Sequence, residues 1–186
     1  MKRKLLSEVA EKYYDAPGRH YHNWEHIQEM LSLHELYFGK PSKDMFAAIL
    51  FHDAIYVPGR DDNEDQSACA ARACLKDKNG LHERVTNLIM STTIENHTTD
   101  LMHCAGGAII RDLDLARLSA PREEFLQHQR NILKENMGLF GYEEHTDWFK
   151  EFLERRDYKL YRTEEFSIFN PIAVANIEAY IRLWRL

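Results

Sequence analysis

A histidine and an aspartate stand side by side at the end of a strongly apolar segment. The segment runs from Met45 to Phe51, and His52 and Asp53 follow it directly. A carboxylate beside an apolar core is costly in free energy unless it is paired, hydrogen-bonded or bound to a metal ion. The pair therefore indicates either a metal site or a structural arrangement in which Asp53 caps or pairs and His52 forms a hydrogen bond.

Two side chains elsewhere in the chain are able to join this pair. His26 shares a helical face with Met30, and Asp114 shares one with Ile110. The alternative for His26 is a buried structural histidine, whereas an acid on an apolar face again requires a partner. If the three helices meet, two imidazoles and two carboxylates come together. This mixture of ligands suits Mn²⁺, Fe²⁺, Co²⁺, Ni²⁺ or Zn²⁺, with positions left for water and substrate.

Composition and charge narrow the class of protein. Of 186 residues, 29% are charged and 44% are hydrophobic, which is usual for a soluble globular domain. The formal net charge is −6, and no basic stripe is evident, so no nucleic-acid partner is expected. No apolar stretch approaches the roughly 18 residues of a membrane span. Three cysteines without a CxxC pair favour a reducing environment, and we expect a cytoplasmic protein without a membrane partner.

The elements that must position these residues are helices. Turn-forming residues divide the chain into segments with apolar residues at helical spacing, and no series of alternating strands is present. Asn23 and Ser42 are good N-cap residues for the two helices that precede Asp53. Other predicted helices cover about 2–14, 63–78, 82–96, 147–156 and 171–186. Only residues 158–168 leave room for a short extended segment. The sequence therefore predicts an all-α protein with a single domain over residues 1–186.

The residues that could do chemistry belong to an ordered set of motifs. The set is Pro17-x-Arg19-x-Tyr21-His22-Asn23-x-x-His26-Ile27, Phe51-His52-Asp53-x-x-Tyr56, Asn63-Glu64-x-x-Ser67-Ala68, Thr93-x-x-x-His97 and Asp112-x-Asp114-Leu115-x-x-Leu118. This order resembles the HD-domain superfamily of metal-dependent phosphohydrolases, and more closely a subfamily of predicted bacterial HD phosphohydrolases. The resemblance spans about residues 13–118 and is weaker through 155–163.

This resemblance implies an HD-domain-like helical bundle. The metal-site core would cover about 13–118 and a C-terminal helical extension about 119–186. The implied ligands of a divalent cation, for which Mg²⁺ joins the metals named above, are His26, His52, Asp53 and Asp114. Two assignments stay open, since His22 is an alternative to His26 and Asp112 is an alternative to Asp114. We favour His26 because it opens its helix after a glutamate, and Asp114 because Leu115-Ala116 follows it.

Residues near the ligand set are candidates for catalysis and substrate binding. Glu64 resembles the acid that orients or deprotonates the attacking water in related families, with an N-terminal capping acid as the alternative. Asp53 is expected to serve catalysis as well as metal binding. Arg19 and His22 precede the first ligand helix and are candidates to bind phosphate, although Arg19 could equally form a surface ion pair. His97 is a candidate ligand for phosphate or for a second metal ion, and His103 is a poorer one.

Together these features predict a metal-dependent phosphohydrolase that cleaves a small phosphate ester, with a nucleotide as one candidate. Tyr21, Trp24 and Tyr56 flank the motifs and either stack on a nucleobase or pack in the core. One alternative function is an HD-type di-iron oxygenase, which requires His97 and a further histidine as ligands. Another is a non-catalytic, metal-binding regulatory module. The sequence leaves a homo-oligomer open.

Overall fold

All regular elements in the described part of the chain are helices, which confirms the all-α prediction. The computed structural model describes residues 3–93, 104, 106–136 and 138–184. The elements are α1 (Arg3–Tyr14), α2 (Trp24–Phe38), α3 (Lys43–Phe51), α4 (Asn63–Cys74), α5 (Leu81–Met90), α6 (Gly107–Asp114), a 3₁₀ helix (Leu115–Ser119), α7 (Arg122–Glu135), α8 (Tyr142–Arg155), α9 (Glu164–Ser167) and α10 (Asn170–Trp184).

Helix α3 lies at the centre of the N-terminal helices, as its apolar sequence predicts. Residues Met45 to Phe51 are all buried, and α3 packs against α1, α2, α4, α5 and α6. The Ser42 side chain accepts a hydrogen bond from the Met45 amide, which satisfies one of the unpaired N–H groups at the start of the helix. Because α3 is covered by its neighbours, the His52 side chain at its end is only 1% exposed.

Local signals also set the bounds of α2 and α4. The Asn23 side chain accepts a hydrogen bond from the His26 amide at 3.1 Å and begins α2 at the expected place. Gly39 ends α2 with a φ of 75°, which an L side chain rarely adopts. Helix α4 ends at Cys74 rather than near residue 78, because Leu75 takes an extended conformation and buries its side chain.

Three other predicted segments differ from the structure. Helix α5 ends at Met90, and residues 94–96 of its predicted continuation lie outside the described residues. Helix α8 begins at Tyr142 rather than 147, since the Glu144 carboxylate accepts a hydrogen bond from the Gly141 amide at 2.9 Å and caps the earlier turn. The extended segment considered for 158–168 is a loop followed by the short helix α9, which buries Phe166.

The C-terminal helices pack directly onto the end of the N-terminal group of helices. Helix α10 contacts α7, α8 and the 3₁₀ helix. The Asn176 side-chain amide donates hydrogen bonds to the carbonyls of Leu118 and Ala120 at 3.0 and 2.9 Å. Phe149 and Tyr180 are buried between these helices. The residues after Leu118 therefore cover the core at the point where α6 ends.

No helix in the described ranges is both long enough and apolar enough to cross a membrane.

Candidate metal centre

Three separate helices bring the four predicted ligands together. His26 lies in the first turn of α2, His52 and Asp53 follow α3, and Asp114 is the last residue of α6. One ligand atom from each of these residues lies within 4.8 Å of the others. The two imidazoles are 1% exposed, whereas the side chains of Asp53 and Asp114 are 15% and 20% exposed. The group is therefore buried on its histidine side and accessible on its carboxylate side.

The distances within the group are those of side chains that face a shared point. The Nε2 atom of His26 lies 3.0 Å from Oδ1 of Asp114. The Nε2 atom of His52 lies 3.0 Å from Oδ2 of Asp53 and 3.4 Å from Oδ1 of Asp114. Two nitrogen and two oxygen donors are thus close enough to hold one cation.

His52 carries the observation that best fits a metal ion. Its Nδ1 atom lies 3.1 Å from the Ile49 carbonyl, to which it donates as an N–H group. In a neutral ring the Nε2 atom then carries a lone pair. This buried atom has no hydrogen-bond partner among the described residues, because the nearby carboxylates are close but not in hydrogen-bond geometry. A lone pair that faces carboxylate oxygens is repulsive unless a cation or a proton lies between them, so the donor set fits a divalent cation.

The charges of the four residues influence one another. Burial lowers the pKa of His26, although its hydrogen bond to Asp114 opposes this effect. Burial also disfavours the charged form of His52, but the negative charges of Asp53 and Asp114 outweigh it and raise the His52 pKa well above its ordinary value. Burial acts to raise the pKa values of both carboxyl groups, but the nearby imidazole charges lower them, and the hydrogen bond from His26 further lowers the pKa of Asp114. The site therefore keeps its carboxylates ionised and attracts positive charge.

The structure places Asp114, and not Asp112, in the cluster. Asp112 is 0% exposed, and its carboxylate points to the loop after α8. It accepts hydrogen bonds from the Arg162 amide at 3.0 Å, the Thr163 amide at 2.6 Å and the Thr163 hydroxyl at 2.7 Å. Asp112 thus anchors a loop, which leaves Asp114 as the carboxylate that meets His26.

His22 lies beside the cluster but is not one of its four members. Its Nδ1 atom is 2.9 Å from Oε2 of Glu135, and its ring stacks on Tyr56 with the centroids 3.9 Å apart. Burial disfavours the imidazolium, but the charges of Asp53 and Glu135 outweigh it and raise the His22 pKa. The same Glu135 oxygen accepts hydrogen bonds from the Tyr21 and His22 amides at 3.2 Å. Glu135 therefore fixes both the backbone and the ring of His22, whose role in substrate binding stays a prediction.

Arg19 holds the backbone around a metal ligand. Its Nη1 atom donates to the carbonyls of His22 and Asp53 at 3.0 and 2.7 Å, and its Nη2 atom donates to the Ala54 carbonyl at 2.9 Å. These contacts are made to backbone carbonyls, so among the described residues Arg19 does not form the surface ion pair, and both of its terminal nitrogens already donate within the protein. They give Arg19 a structural role in positioning Asp53, and phosphate binding by Arg19 stays a prediction.

The third substrate-binding candidate, His97, lies outside the described residues, as does His103. The oxygenase alternative requires His97 and another histidine as additional ligands. The oxygenase therefore stays an alternative prediction.

A cavity of about 490 Å³ opens onto the carboxylate side of the cluster. Asp53, Asp114, His22 and Glu64 line it, together with side chains from α7 and α8. Burial and the charges of Asp53 and Asp114 raise the pKa of Glu64, which lies in the first turn of α4. A larger cavity of about 580 Å³ touches only His26 among the four ligands, so the smaller one is the candidate substrate site.

The sequence did not point to the part of the cavity wall that follows Leu118. Gln129, Ile132, His145, Trp148 and Phe149 lie on amphipathic helices with no motif that marks them as functional. Among the aromatic residues that flank the motifs, Tyr21 and Tyr56 line the cavity. Trp24 instead packs against Tyr14, with the ring centroids 5.8 Å apart.

The buried His145 in this wall is expected to make the folded protein less stable in acid. Its side chain contacts the Tyr180 hydroxyl at 3.2 Å, and burial lowers its pKa to about 4. The unfolded chain, with a histidine pKa of about 6.5, binds more protons than the folded protein between these values, so stability falls as the pH falls through this window. Between about pH 7 and 4.5, we expect wild type to lose about 2 kcal/mol more than His145→Gln in urea denaturation. Parallel losses in the two proteins would contradict this role of His145.

The fold and the site define an all-helical protein with a candidate histidine–aspartate metal centre. Comparison of the chain with protein-family models, with curated proteins and with solved structures gives no match. The function is therefore inferred from the chemistry of the cluster and of the cavity beside it.

Proposed function

We propose that this protein is a metal-dependent phosphohydrolase of the HD-domain type, which cleaves a small phosphate ester. The observation that carries the proposal is the cluster of four ligand atoms within 4.8 Å of one another, beside a cavity that also contains Glu64. The order of the ligands along the chain, a histidine, then His52-Asp53, then an aspartate, supports the HD type. A nucleotide is one candidate substrate, because aromatic rings line the same cavity.

The four residues would hold the cation through two imidazole nitrogens and two carboxylate oxygens. Such a mixed set is compatible with Mn²⁺, Fe²⁺, Co²⁺, Ni²⁺, Zn²⁺ or Mg²⁺. The two negative charges of Asp53 and Asp114 match the charge of a divalent ion. When bound, the cation supplies a lowered pKa for water and stabilises negative charge on a phosphoryl oxygen.

The other residues of the cavity would do the proton transfer and the positioning. Glu64 is the candidate general base, because a half-buried carboxylate with a raised pKa takes a proton from the attacking water more readily than a surface carboxylate. His22 would donate a hydrogen bond to the phosphate from an orientation that Glu135 fixes. Arg19 would keep Asp53 in place through the backbone.

Phosphate release tests the proposal directly. The purified protein is mixed with phosphate esters and nucleotides in the presence of Mn²⁺, Co²⁺, Ni²⁺, Zn²⁺ or Mg²⁺, next to Asp53→Ala and Asp61→Ala. Asp61 is an exposed acid in the loop before α4 and serves as the matched control. We expect metal-dependent release that falls at least about 100-fold in Asp53→Ala and is retained in Asp61→Ala. If wild type binds the cation but releases phosphate from no ester, the proposal is wrong.

A further inference from the structure

Helices α7 and α8 and the loop between them contribute an apolar and largely aromatic part of the cavity wall. Its side chains are Ile132, Phe140, Trp148, Phe149 and Phe152. The rings of Trp148 and Phe152 are stacked, with their centroids 4.9 Å apart, and Phe149 and Phe152 are almost completely buried. Apolar walls of this kind bind the part of a ligand that does not react. Flat rings on the wall favour a flat aromatic group.

One buried polar side chain in this wall, that of Gln129, has an oxygen without a hydrogen-bond donor among the described residues. Gln129 of α7 lines the cavity, and its side chain is 1% exposed. Its Oε1 atom is buried and has no hydrogen-bond partner among the described residues. A buried amide oxygen without a donor costs free energy, and most such groups in proteins are satisfied by protein, water or ligand. The last torsion of a glutamine is soft and roughly two-fold, so a small rotation can present the oxygen to a ligand.

We propose that the C-terminal wall selects phosphate esters whose alcohol is a flat aromatic group with an N–H or O–H donor. Gln129 accepts the hydrogen bond from that donor, and the rings of Trp148, Phe149 and Phe152 pack against the group. Nucleosides whose base carries an amino or imino group belong to this class. Cleavage of the phosphate ester rests on the proposed function, whereas binding of the aromatic group requires no metal ion.

Binding to the metal-free protein tests the recognition of the aromatic group. Indole and benzofuran have the same shape, but only indole has an N–H donor. Their affinities are measured by ligand-observed NMR for wild type, Gln129→Met, Gln129→Glu and Gln127→Met. Met removes the acceptor and Glu keeps it, while Gln127 is an exposed residue of the same helix and serves as the control. Circular dichroism verifies that each variant is folded.

We expect wild type to prefer indole over benzofuran by about tenfold, as one hydrogen bond to a buried group would give. The preference should disappear in Gln129→Met and persist in Gln129→Glu and Gln127→Met. Equal affinities in wild type, or an unchanged preference in Gln129→Met, would overturn the inference.

Turnover then separates this inference from the proposed function. The ratio of kcat/KM for indolyl phosphate to that for naphthyl phosphate should fall about tenfold in Gln129→Met, because only the indolyl group has the donor. Selective binding of indole without hydrolysis of any ester would support the recognition by Gln129 and contradict the phosphohydrolase. Hydrolysis of esters without a preference for indole would support the phosphohydrolase and overturn the recognition.

Discussion

Replacement of Glu64 by glutamine is expected to lower phosphate-ester turnover by about 100- to 10,000-fold while the metal content stays unchanged. Glu64 lines the cavity with Asp53 and Asp114 but does not belong to the ligand cluster. Glutamine has the same shape and cannot accept the proton of the attacking water. A loss of turnover without a loss of metal would therefore identify Glu64 as the general base.

Asp65→Asn is the matched control for Glu64→Gln. Both acids lie in the first turn of α4, where negative charge stabilises the helix, but Asp65 is exposed. Each substitution removes one negative charge from the same helix end. A difference in turnover between the two variants therefore reflects the position of Glu64 in the cavity and not the loss of charge. Metal content is measured by elemental analysis and turnover by phosphate release. If Glu64→Gln turns over as fast as Asp65→Asn, Glu64 has no part in the reaction.

The largest effect on stability is expected for Asp112→Ala, which should lower the free energy of unfolding by about 3–5 kcal/mol. The carboxylate is fully buried and accepts hydrogen bonds from the Arg162 amide and from the amide and hydroxyl of Thr163. Alanine leaves these donors without their acceptor and releases the loop from α6. Urea denaturation of the metal-free protein measures the change.

Asp114→Ala is the matched comparison for Asp112→Ala. The two aspartates are two positions apart, but Asp112 anchors a loop and Asp114 belongs to the ligand cluster. We expect Asp114→Ala to lose metal binding, since its carboxylate belongs to the ligand cluster. We expect the folded fraction of Asp112→Ala to keep it. An Asp112→Ala protein that is within about 1 kcal/mol of wild type, or an Asp114→Ala protein with normal metal affinity, would show that this division of roles is wrong.

Several features of the protein could be predicted from the sequence because they depend on neighbouring residues. The apolar run that ends in His52-Asp53 predicted a buried central helix with a costly polar end, and α3 has this form. The N-caps at Asn23 and Ser42 set the starts of α2 and α3 because their side-chain oxygens accept hydrogen bonds from the amides three residues later. The four ligand candidates were recognisable as polar side chains next to apolar faces, and the structure brings them together.

The tertiary structure alone decided which partners the other polar residues have. Arg19 donates to the backbone carbonyls of Asp53 and Ala54. Every residue has a backbone carbonyl, so the residue types in a sequence do not show which carbonyl will accept a hydrogen bond. His22 and Glu135 are 113 positions apart, so no local spacing connects them. The sequence favoured Asp114 over Asp112, but only the structure shows why, since a loop occupies the Asp112 carboxylate.

The cavity is the clearest case of a feature that only the tertiary structure determined. Its candidate metal ligands and Glu64 come from the N-terminal core, whereas Gln129 and the aromatic wall come from α7, α8 and the loop between them, which the sequence indicated only as a C-terminal extension. An amphipathic helix has the same pattern of apolar residues whether its apolar face fills a core or borders a cavity. The sequence therefore determined the helices and the candidate ligands, while the packing of distant helices determined what surrounds them.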